Sequence, residues 1–141
     1  MFTSLMLMMA TAATAEPGPA PVPTPSQTAL YDALKIRDAA PPCASLKPMS
    51  KDLATDLIWL VDNASQPPWV GIRAAQCVIR EHHEAKAATI QAWVTQPDRR
   101  GLAILTFGLL DELPAPQAKT LQEAALAGPL AEDAKKHISM P

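Results

Sequence analysis

The residues of this chain best suited to chemistry are few: two cysteines, Cys43 and Cys77, and three histidines, His82, His83 and His137. The stretch RAAQCVIREHHE, residues 73 to 84, sets Cys77 and the adjacent His82 and His83 among acids, the raw material of a metal or catalytic cluster. Spacing argues against the cluster. Neighbouring residues on a helix point about 100° apart, so His82 and His83 do not face one metal together. A zinc-binding H-E-x-x-H helix sets its histidines four apart on one face, and His137 lies roughly 50 residues away. The expected reading is a solvated helix end of Arg80, Glu81, His82, His83 and Glu84, where histidine suits the helix dipole. No metal ligand and no cofactor is expected. Nothing in the sequence assembles an activated thiolate around either cysteine, so no catalytic residue is assigned.

An even cysteine count in an exported chain points first to a disulfide. A Cys43–Cys77 bond closes a loop of about 34 residues and contributes roughly 3 to 4 kcal/mol on the chain-entropy model. Two unpaired, separately buried thiols are the alternative. Export is argued from MFTSLMLMMATAATA, residues 1 to 15, which carries no charged side chain and ends in an A-x-A pattern before Glu16. The run reads as a signal peptide cleaved after Ala15, although it has no Lys or Arg at its start. It is too short to span about 30 Å of hydrocarbon. Residues 16 to 27, EPGPAPVPTPSQ, hold five prolines between Pro17 and Pro25 and read as an extended spacer. The expected location is secreted or periplasmic, with no membrane span in the mature chain.

At 141 residues, the chain is long enough for one domain with a core of its own. Its 12 basic and 14 acidic residues are spread without blocks, which excludes the basic stripe of a nucleic-acid binder. From residue 28 onward, Ala, Leu, Glu, Gln and Lys dominate, and prolines punctuate at short intervals. Helices are predicted at 28–38, 51–63, 69–83, 85–95, 98–112, 115–127 and 130–139, forming one all-α domain over 28–139. Asp98 is the expected N-cap of its helix. GLAILTFGLL, residues 101 to 110, is apolar on every side and is predicted to be buried at the centre.

The helices recur in pairs. PPWVGIRAAQCVI, from Pro67, aligns with PDRRGLAILTFGL, from Pro97, at an offset of thirty that sets Gly71 on Gly101 and Leu60 on Ile90. A fixed period of this length is the mark of a solenoid. PPWVGIRAAQCVIRE resembles the second helix of a HEAT-like repeat, of the short-period bilin-lyase type. The resemblance covers roughly residues 50 to 138. The second unit departs from it, with Arg100 in place of Val70 and no Arg-Ala-Ala step. What the resemblance implies is a short right-handed α-solenoid of stacked hairpins, about 2.5 to 3 repeats, serving as a binding or scaffold surface.

The expected function is therefore that of a non-enzymatic module binding a protein partner. Its candidate surface is a ridge of Arg73, Arg80, Arg99 and Arg100, with Trp69 beside Pro67 and Pro68 as a hot spot or as a staple over the stack. Two other readings are a chromophore-handling lyase, which the repeat family implies, and a plain assembly subunit.

Overall fold

The first helix opens inside the proline-rich stretch. In the computed structural model, which describes residues 21–138, α1 spans Pro25–Leu34. The Thr24 hydroxyl accepts from the Gln27 amide at 3.2 Å, and the Thr24 amide donates to Gln27 Oε1 at 2.9 Å. This reciprocal capping box satisfies amides that a helix start leaves without partners, and Pro25 occupies the first turn, where no amide proton is needed. α1 thus begins before the expected Thr28 and ends at Leu34 rather than Asp38. The proposed signal segment and residues 16–20 of the spacer lie outside the described residues.

The remaining helices follow the proline punctuation. After α2 (Cys43–Leu46) comes a 3₁₀ turn at Lys47–Met49, then α3 (Leu53–Asn63), α4 (Pro68–Glu81) and α5 (Ala87–Trp93). A second 3₁₀ turn at Pro97–Arg99 leads into α6 (Arg100–Gly108), and a third, Leu110–Glu112, follows it. α7 (Ala115–Ala127) and α8 (Ala131–His137) complete the described chain. No strand occurs among the described residues, and the fold is all-α. Two expectations are corrected here. The predicted 98–112 helix is divided, with Gly108, a poor helix former, at the point where α6 gives way to a tighter turn. Asp98 lies within a 3₁₀ turn, and α6 starts after Arg99 with no side-chain cap.

Packing follows a simple neighbour plan. α3 packs with α4, α5 with α6 and α7 with α8, while α4 meets α6 and α6 meets α8. α1 lies across α3 and α4. The apolar positions Leu53, Leu57 and Leu60 of α3 are buried, as are Val70, Ala74, Val78 and Ile79 of α4, so helical periodicity does set these faces. Trp93 is the largest fully enclosed side chain of the core. α6 is not sealed on every side. Ala103, Thr106 and Phe107 are buried, but Leu102, Ile104 and Leu105 are only half-buried, and Gly101 and Gly108 face solvent. Thr106 buries its hydroxyl by donating to Leu102 O at 2.9 Å.

Candidate functional site

Cys43 stands at the first position of α2, and Cys77 lies on the buried side of α4. The two are joined in a disulfide, with Cα atoms 5.6 Å apart, and no other cysteine exists. α4 stops at Glu81, and His82 follows as its C-cap, its backbone amide donating to Val78 O at 2.9 Å. That turn swings the His82 ring against the cysteine pair. One donor atom from each of Cys43, Cys77 and His82 falls within 4.8 Å of the others. His82 Nε2 is shielded from solvent and has no hydrogen-bond partner in the structure, and the same is true of His83 Nδ1. Buried polar nitrogens normally find partners. Helix spacing set the histidines against one another; the fold brings His82 beside both sulfurs.

The cluster borders a cleft of about 700 Å³, lined by Cys43, Lys47, Lys51, Asp52, Glu81, His82 and Lys86, among others. Asp52 caps α3, accepting from the Thr55 hydroxyl at 2.8 Å and the Thr55 amide at 3.3 Å. Those bonds, with help from the charges of Lys86 and His82, hold its carboxyl below the usual carboxylate range. Asp52 therefore remains an anion on the cleft wall at neutral pH.

A polar knot that the sequence did not announce ties α1 to α3. Asp56 of α3 accepts from Ser26 Oγ at 2.8 Å, from Gln27 Nε2 at 3.1 Å and from Ser50 Oγ. Three donors around one half-buried carboxylate satisfy it without a cation. The other end of α1 is held from α4. Trp69 Nε1 donates to Lys35 O at 3.1 Å, and Arg73 Nη1 donates to Leu34 O at 2.7 Å and to Ile36 O. Helix ends leave carbonyls without intrahelical partners, and these donors fill that need. Tyr31 adds a bond to Gln66 O at 2.7 Å.

The other candidate binding residues also have partners within the chain. Arg80 pairs with Glu112 at 3.2 Å, linking α4 to the turn after α6. Arg99 pairs with Asp62 at 2.7 Å and reaches Val61 O at 3.3 Å. Arg100 grips Asp133 with two parallel bonds of 2.8 and 2.7 Å. The fork holds the Asp133 carboxyl below its ordinary range and raises the Arg100 guanidinium further. Arg99 and Arg100 meanwhile stand at the edge of a groove of about 420 Å³ between α4 and α6. Its apolar wall includes Val61, Ile72, Leu102 and Leu105. Ile72 is 47% exposed, one of four large apolar side chains left so open among the described residues.

The comparisons with known proteins add no relative to this picture: no family model, curated protein or solved structure matches the chain. No helix among the described residues is long and apolar enough to cross a membrane. The disulfide is compatible with an extracellular location.

Proposed function

We propose that this chain is an exported, non-enzymatic binding module that seats an apolar segment of a partner protein in the groove between α4 and α6. The observation that carries this reading is the groove itself, an apolar wall around the exposed Ile72 with Arg99 and Arg100 at its edge. Both arginines already have carboxylate partners, which fixes their positions and preorganises the rim for a polar contact with an incoming chain. The pairing of α3 with α4, α5 with α6 and α7 with α8, and the contacts of α4, α6 and α8 in succession, support a HEAT-like stack of hairpins. Trp69 and Arg73 act within this module as the fastening of α1, and Arg80 braces α4 against the end of α6.

Site-specific photocrosslinking tests the groove. A crosslinker placed at position 72 in the native cell is expected to give one discrete protein adduct, identified by mass spectrometry, with none from exposed Lys119. Arg100→Glu should reduce its yield. No adduct at 72, or the same adducts at both positions, overturns the reading.

A further inference from the structure

We propose that the Cys43–Cys77 disulfide is the oxidised form of a metal site, and that the reduced chain binds a thiolate-seeking d10 cation, Zn2+ or Cu+, through Cys43, Cys77 and His82. Three features converge on it. The donor atoms come from α2, α4 and the C-cap of α4 and lie within 4.8 Å of one another, a span that a single ion bridges. Two thiolates and an imidazole form a donor set suited to these cations rather than to hard ions such as Ca2+ or Mg2+. His82 Nε2 is shielded and lacks a partner, so the ring has coordination capacity that the protein itself does not use. The adjoining cleft gives an ion and its water a route in.

The chemistry balances with a dithiol as reductant. The dithiol is oxidised to its own disulfide, and the two electrons and two protons it gives up break the Cys43–Cys77 bond to two thiols. Ligation then releases those two protons as the thiolates take the cation. Cu+ is satisfied by the three protein donors, and Zn2+ completes its coordination with water. In the oxidised chain both sulfurs are spent on each other, so redox state decides whether the site exists.

The test uses the full chain, reduced with dithiothreitol and desalted without oxygen. Co2+, a spectroscopic stand-in for Zn2+, is expected to produce thiolate-to-cobalt absorption at one equivalent per chain, displaced by Zn2+. Cu+ is supplied separately from a chromophoric chelator. The oxidised chain should bind neither. His82→Gln removes a ring that makes no hydrogen bond in the structure, leaves the backbone cap intact, and is expected to weaken binding at least tenfold. Cys43→Ser should abolish the absorption. If reduction lowers the helical circular dichroism, Zn2+ should restore it. Failure of the reduced chain to bind either cation, unchanged binding by His82→Gln, or, where reduction has lowered the helicity, metal binding that does not restore it, overturns the proposal.

Discussion

The two halves of the molecule are held together by different means. From α1 to Ser50 the chain is held onto α3 and α4 by specific links: the Cys43–Cys77 bond, the Ser26, Gln27 and Ser50 donors around Asp56, and the Trp69 and Arg73 donors at the end of α1. From α5 to α8 it relies more on filling, with Ile90, Trp93, Val94, Phe107, Leu121 and Ala125 enclosed. The reason lies in the segments being fastened. α1 and the following stretch to Ser50 contribute only Leu30, Leu34 and Leu46 as buried aliphatic side chains. Apolar area that small offsets little of the chain entropy, so directional and covalent links supply the remainder. Where alanine-rich helices approach closely, packing is enough.

That contrast can be broken by mutation. The largest effect is expected from Trp93→Ala, which empties the core site of its biggest fully buried side chain and should lower unfolding free energy by about 3–5 kcal/mol in urea titration. A loss well under that range would mean the second half collapses around the void and is less tightly filled than described. Cys43→Ala with Cys77→Ala removes the crosslink and should cost about 3–4 kcal/mol. Limited proteolysis of that variant should cut first between Leu34 and Leu53; first cuts after α5 would erase the distinction. Arg73→Ala leaves the Leu34 and Ile36 carbonyls without their charged donor and is expected to cost about 1.5–3 kcal/mol. Amide exchange should speed up in α1 and stay unchanged in α7.

The smallest effect sharpens the other side. Asp133 has its pKa lowered by Arg100 in the folded state, so its contribution is present above the ordinary carboxylate pKa of about 4 and is lost as pH falls through the folded value. Asp133→Asn should therefore flatten the acid limb of the stability profile below about pH 4 and leave it unaltered between pH 6 and 8, apart from a constant offset. An acid limb of the same slope would show that the bidentate pair adds nothing to the α6–α8 contact.

The helices were legible because periodicity and proline punctuation are local, and the disulfide because an even cysteine count behind an expected export signal points first to a bond. The start of α1 was legible too, in Thr24 and Gln27 spaced as a capping box, but the prolines around it read more loudly as spacer. His82 was not. Spacing rules compare donors on one element, whereas one of the sulfurs beside His82 belongs to Cys43, on α2. Asp56 looked like any outward acid of an amphipathic helix, because its partners arrive from two separate segments. Arg73 was read as part of a ridge and Trp69 as a hot spot or a staple; the partners they take are backbone carbonyls, which occur at every residue and leave no mark in a sequence.

The links from the N-terminal segment to α4 and the turn before it share a reach. Tyr31 to Gln66, Lys35 to Trp69, Leu34 to Arg73 and Cys43 to Cys77 are separated by 35, 34, 39 and 34 residues. A chain delivered N-terminus first, from a ribosome or through a pore, therefore presents α1 long before anything can hold it. Helices of this length are marginal alone in water. The Ser26 and Gln27 bonds to Asp56 need only α3, whereas the links to Gln66, Trp69, Arg73 and Cys77 wait for α4 and the turn before it, so this half of the molecule is built to close in two steps, the second one late.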